Sequence, residues 1–142
     1  MLFKDDAHKK YFYYYLSEFN IPESDTERTS LIYALTITED CRKHMDDCFD
    51  PIEGIVRIDA LHHGCVTGSD ARAIRLAFNL FNGGVPTSLQ PAAGNNLYDK
   101  HGDFVCNRDE LLASTVSEIF SDGCLCRYFM QAIQLRYPRN FR

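Results

Sequence analysis

Residues 69–82 restrict the fold more than any other segment of this chain. Ala71, Ala73, Ile74, Leu76, Ala77, Phe78, Leu80 and Phe81 fall so densely that, at helical period, they cover more than half the circumference of a cylinder. Ser69 stands where an N-cap is expected, and Asn82-Gly83-Gly84 is a C-terminal stop. A helix this apolar needs neighbours on several sides, so the rest of the chain must supply them.

Other segments carry helix signals of their own. Asp5 and Asp6 open a first helix with Phe12, Tyr15, Leu16 and Phe19 at i, i+3, i+4 and i+7, closed by Asn20-Ile21-Pro22. Ser24-x-x-Glu27 reads as a capping box for a second helix, with Arg28, Leu31, Ile32 and Leu35 on one side. Thr38, followed by Glu39 and Asp40, caps a third helix running to about Phe49, with Asp50-Pro51 as its stop. Ile55, Val56 and Ile58 suit a short extended piece, and Asp59 a single turn through Leu61. Asn107-x-x-Glu110 and Thr115-x-x-Glu118 are two further caps, and a last helix runs from Cys124 to Tyr137 before Pro138. Its buried face is Leu125, Tyr128, Phe129, Ala132 and Ile133.

The fold class is therefore mainly α: one compact helical domain over residues 1–142, of about five to seven helices. An irregular loop at about 85–107, rich in Pro, Gly, Asn and Ser, has room for a short hairpin. The expected core contains Phe12, Leu16, Leu31, Leu35, Ile74, Phe78, Phe81, Phe129 and Ile133.

Composition narrows the function. With 45% apolar and 25% charged residues the chain is an ordinary globular one. A net charge of −5 argues against a general nucleic-acid binder. Met1-Leu2-Phe3 runs straight into Lys4-Asp5-Asp6, without the apolar stretch of a secretory leader, so a cytoplasmic protein is expected. No apolar run reaches the ~20 residues of a membrane span.

No catalytic signature stands out: the chain has no Walker loop, GxGxxG, HExxH, nucleophile elbow or CxxC. Thr67-Gly68-Ser69 precedes a helix, but Asp70 would repel a phosphate there, so it reads as a cap. His62 and His63 beside Cys65 are the one Cys–His pairing that an unrecognised enzyme would use. Cys41, His44 and Cys48 share a helical segment and are the best metal-ligand set. Cys41 and Cys48 nevertheless sit seven apart with Met45 between them, the pattern of a core stripe. No metal and no cofactor is expected. Six cysteines without a leader read as buried, reduced thiols.

Three surfaces remain. Arg72, Arg75, Asn79 and Asn82 form a polar stripe on the central helix, and Arg127, Gln131 and Gln134 another on the last. They are either solvent faces of core helices or the two sides of a shared groove. The first helix has more aromatics than one core face can use, which leaves Tyr11 or Tyr14 for a partner or homodimer contact. Residues 1–60 hold thirteen acidic and seven basic side chains, against seven and eight in residues 61–142. Asp46 and Asp47 lie in the densest acidic stretch, suited to steering a basic protein surface inward.

Phe3-Lys4-Asp5 with His8, Leu35-Thr36-Ile37-Thr38 leading to Arg42, the Arg75–Gly83 block RLAFNLFNG, and Tyr128-Phe129 with Leu135-Arg136-Tyr137-Pro138 together carry a resemblance. The chain is similar to an uncharacterised family of small bacterial proteins often found on mobile elements and in phage-rich accessory regions. That resemblance implies a bacterial host cytoplasm and transfers no activity or residue role. Within that setting the leading expectation is a non-enzymatic protein-binding accessory protein, anti-CRISPR-like, inhibiting a defence complex such as a nucleic-acid-guided nuclease. Its binding residues would be Tyr11, Tyr14, Asp46, Asp47, Arg72, Arg75 and Asn79, with no direct nucleic-acid or membrane contact. The alternatives are a helix–turn–helix regulator using residues 59–63 and 69–82, and the Cys/His enzyme.

Overall fold

The computed structural model describes residues 1–62, 68–84, 90–121 and 123–141. It is mainly α, with eight helices and two small antiparallel sheets among the described residues. In chain order come α1 (Asp6–Glu18), α2 (Thr26–Leu35), α3 (Glu39–Lys43), α4 (Met45–Cys48), β1 (Phe49–Asp50), β2 (Ile55–Val56), a 3-10 turn (Ile58–His62) and α5 (Gly68–Asn82). Then follow β3 (Asn96–Tyr98), β4 (Phe104–Asn107), α6 (Arg108–Ala113), α7 (Val116–Ile119), α8 (Cys126–Arg136) and a closing 3-10 turn (Pro138–Phe141).

The hub is α2 as much as α5. Every residue from Thr29 to Leu35 is buried, and α2 packs against α1, α5 and α8. Its polar members are tolerated because their hydroxyls return to nearby carbonyls: Ser30 Oγ to Glu27 O at 2.9 Å and Thr36 Oγ1 to Ile32 O at 2.7 Å. Around it gather Phe12 and Leu16 of α1, Ile74 and Phe78 of α5, and Phe129 and Ala132 of α8. Phe81 and Ile133 only flank this core, half-buried at its edge, because α5 and α8 end near the surface there.

Local signals set most helix starts. Asp5, Thr38, Asn107 and Thr115 each accept a hydrogen bond from the backbone N–H three residues on. Asn20, in the left-handed region at φ 54°, ends the chain segment after α1, and Gly83 at φ 72° ends α5. Four expectations need correction. The cap of α2 is Asp25, not Ser24: its carboxylate accepts from Arg28 N at 3.1 Å and also pairs with the Arg28 guanidinium. Helix α5 begins at Gly68, which places Ser69 inside its first turn. The last helix starts at Cys126, two residues later than expected. The single helix expected over 39–49 is two, broken at His44. The charges show why: Glu39 and Asp40 open α3, Arg42 and Lys43 close it, and Asp46 and Asp47 open α4, so the charge pattern restarts at the break.

The N-terminus is strapped to the core. Leu2 N–H donates to Gln131 Oε1 at 3.0 Å, and the Tyr33 hydroxyl donates to Leu2 O. Phe3 then inserts its ring among His8, Phe12, Tyr13 and Tyr33. The expected hairpin within 85–107 is β3–β4, paired Asn96 with Asn107, Leu97 with Cys106 and Tyr98 with Phe104.

Candidate functional site

Helix α1 faces the core with Phe12 and Leu16, and the next positions round its surface are tyrosines. Tyr11, Tyr14 and Tyr15 form a mutually contacting group, with ring centres 6.3 Å (Tyr11–Tyr14), 6.2 Å (Tyr11–Tyr15) and 5.0 Å (Tyr14–Tyr15) apart. Tyr14 is 52% exposed and Tyr11 37%. Tyr13 is engaged on another side, against Phe3 and Phe12.

Between α1 and α3 lies a cleft of about 430 Å³, lined by Ala7, Tyr11, Tyr15, Glu39, Arg42 and Lys43. Its walls are held by the backbone. The Tyr15 hydroxyl donates to Arg42 O at 3.1 Å, joining α1 to α3. Arg42 Nη1 donates to the carbonyls of Thr36 and Ile37 at 2.9 and 3.3 Å, where they leave α2. The same guanidinium lies 5.6 Å from the Tyr11 ring centre, and Lys10 Nζ lies 5.8 Å from it. Lys43 pairs with Glu39 at 2.9 Å. The cations at the cleft are therefore anchored, while Asp46 next to it is exposed and makes no ion pair among the described residues. Burial, reinforced by Asp46, raises the Tyr15 pKa, so this hydroxyl is a neutral donor. Asp47 is half-buried, its Oδ2 3.1 Å from His44 Nδ1. Asp46 is near enough to act on the Tyr15 hydroxyl, and Tyr15 contacts both Tyr11 and Tyr14, with Asp47 on the same short helix as Asp46.

The arginine stripe is used differently. Arg72 Nε donates to Glu118 O of α7 at 3.2 Å, and Asn79 Nδ2 reaches Gly84 O at 3.4 Å. Arg75 is half-buried with its Nε unpartnered among the described residues, and desolvation lowers its pKa despite the nearby Glu110. Gln131 on α8 is occupied by the Leu2 N–H, so the two stripes are taken up by different neighbours. Helix α5 packs on α2, α7 and α8.

Cys41 and Cys48 are buried in the core, and burial raises the Cys41 thiol well above its ordinary pKa. Among the described residues no three His, Cys, Asp or Glu side chains converge as a metal site would require. His63 and Cys65, with the side chain of His62, lie outside the described residues. Among the described residues no helix is long and apolar enough to cross a membrane.

Sequence reasoning missed the cleft itself. Its floor depends on Arg42 binding two backbone carbonyls, which no side-chain pattern announces. Comparison with known proteins adds one finding: a family model matches residues 1–142, the whole chain. The chain belongs to the DUF6075 family of unknown function. Full coverage agrees with the uncharacterised family expected above, and membership assigns no role to any residue. No curated protein and no solved structure matches the chain.

Proposed function

We propose that this member of the DUF6075 family is a non-enzymatic protein-binding protein that docks on a basic protein surface through the tyrosines of α1 and the acids of α4. The observation that carries the reading is the pairing of exposed Tyr11 and Tyr14, at the rim of an aromatic-walled cleft, with the exposed Asp46. Tyrosine buries a large rigid surface at low entropic cost and keeps a hydroxyl for a directed bond. Asp46 and Asp47 on α4 supply the negative charge that would meet a basic partner beside the tyrosines. In the mobile-element setting implied by the resemblance, the partner is a nucleic-acid-guided nuclease in the host cytoplasm. An acidic chain that covers its positively charged channel would inhibit it without any chemistry of its own.

The test is quantitative capture from bacterial lysate by the full chain and by a Tyr14→Ala/Asp46→Lys variant. Proteins held by the first and lost from the second, basic and nucleic-acid-binding in character, support the proposal. An identical captured set for both chains rejects it.

A further inference from the structure

Among the described elements the β3–β4 hairpin packs mainly on itself and on the segment that follows it. Its strands contact each other and, through β4, the following α6, and the turn from 99 to 103 is exposed throughout. A two-stranded hairpin standing alone is marginal in water and gains from a further strand. Natural edges are normally blunted by a lysine, a proline, a bulge or a covering element. β4 has such a device, since Val105 is the extra residue where the register shifts between Leu97–Cys106 and Tyr98–Phe104. β3 has only its shortness: its residues are Asn96, Leu97 and Tyr98, with Leu97 40% and Tyr98 54% exposed.

Hydrogen bonds show which backbone groups face outward. Arg108 N–H donates to Asn95 O at 2.7 Å and Asp99 N–H to Asp103 O at 2.9 Å, so Asn95 and Asp99 turn inward to the β4 side. By the alternation of an antiparallel ladder Leu97 also turns inward, and Asn96 and Tyr98 turn their N–H and C=O away from β4. Among the described residues no other strand pairs with that outer edge.

We propose that the outer edge of β3 is a self-association surface, pairing antiparallel with β3 of a second copy about a two-fold axis through Leu97. The register follows from the outward groups. Asn96 and Tyr98 of one chain meet Tyr98 and Asn96 of the other as hydrogen-bonded pairs, giving two-way backbone bonds on either side of the axis. Leu97 meets its own copy as the close, non-hydrogen-bonded pair between them. The charges are compatible with the same axis: Asp99 falls opposite Asn95 and Lys100 opposite Gly94, so no acid meets an acid along the strand. The contact is isologous and closed, giving a four-stranded sheet in the order β4-β3-β3-β4 with only bulged edges left outside. It involves neither α1 nor α4, so it stands or falls independently of the proposed partner surface.

Because the paired strand is short and each chain carries −5, the dimer is weak and salt strengthens it by screening repulsion. Sedimentation equilibrium of the full chain, from about 10 µM to about 1 mM at low and high salt, tests this directly. The expected result is reversible dimerisation that tightens with salt. Leu97→Lys, which sets two ammonium groups face to face, should raise the dissociation constant at least about tenfold. Tyr98→Pro, which removes an outward N–H and no hairpin bond, should do the same. Tyr14→Ala should leave it unchanged, and circular dichroism should show both hairpin variants folded. A monomer over the whole range, a dimer that survives both hairpin substitutions, or one abolished by Tyr14→Ala would each overturn the proposal.

Discussion

Acid should weaken this fold through one histidine well before its carboxylates protonate. His8 has no solvent exposure, and its Nδ1 accepts the Lys4 N–H at 3.1 Å. The ring proton therefore belongs on Nε2, which donates to Tyr33 O at 3.0 Å. Burial holds the pKa down to about 4 from an ordinary 6.5; the Tyr33 carbonyl and Asp5 pull upward, while Arg42 and Lys4 push it further down. The folded chain thus resists a proton that the unfolded chain accepts. Stability from this group is complete above the unfolded value of 6.5 and is lost as pH falls from there toward 4. At about 1.4 kcal/mol per pH unit, acidification from about pH 7.5 to about pH 4.5 should remove about 2–3 kcal/mol. Protonation also takes away the acceptor for Lys4 N–H, so the N-terminal strap should loosen first. Urea unfolding followed by far-UV circular dichroism at several pH values measures the loss. His8→Gln, which keeps an amide donor for Tyr33 O and cannot titrate, should flatten the curve in this window. Asp5, whose carboxyl is held low chiefly by the His8 backbone N–H, loses its contribution only as pH falls below 3.8, so the two effects separate. An unfolding midpoint that is the same at both pH values, or a His8 ring titrating near 6.5 by NMR, would refute the reasoning.

The core, the C-terminus and the thiols give further expectations. Phe78 is 2% exposed, and Phe78→Ala should cost about 3–5 kcal/mol in chemical denaturation, because a cavity adds to the lost transfer energy. Arg136 donates to Leu80 O at 2.7 Å, pairs with Glu27 at 2.7 Å and reaches Thr26 Oγ1, tying α8 to α5 and α2. Arg136→Lys, which cannot reproduce that fork, should destabilise by about 1–2 kcal/mol at unchanged helicity. In a thiol-labelling time course the exposed Cys124 should react promptly, and Cys41 and Cys48 only once the chain is unfolded by denaturant.

What the sequence disclosed was mostly local. Asp5, Thr38, Asn107 and Thr115 are caps because the side chain and the N–H it satisfies lie three residues apart, a relation visible in one dimension. Ser24 and Asp25 are both able to cap, and the choice fell to the one whose carboxylate also reaches Arg28. The surplus of tyrosines on α1 was legible as an excess over what a core stripe can hold. Which of them is drawn inward was not, since Tyr15 is half-buried only because its hydroxyl reaches Arg42 O on another helix. Burial of Thr29, Ser30 and Thr36 was hidden for a similar reason: their polarity suggests a surface until their hydroxyls are seen returning to the backbone. His8 and Tyr33, twenty-five residues apart, meet only in the folded chain.

The partner surface is tested most directly by association kinetics. With a captured partner immobilised, the wild-type chain and two variants, Asp46→Lys/Asp47→Lys and Tyr11→Ala/Tyr14→Ala, are compared across ionic strength. The charge-reversed chain should associate more slowly and lose most of its salt dependence, and the tyrosine variant should mainly dissociate faster. Association indifferent to salt and to all four positions would contradict the account.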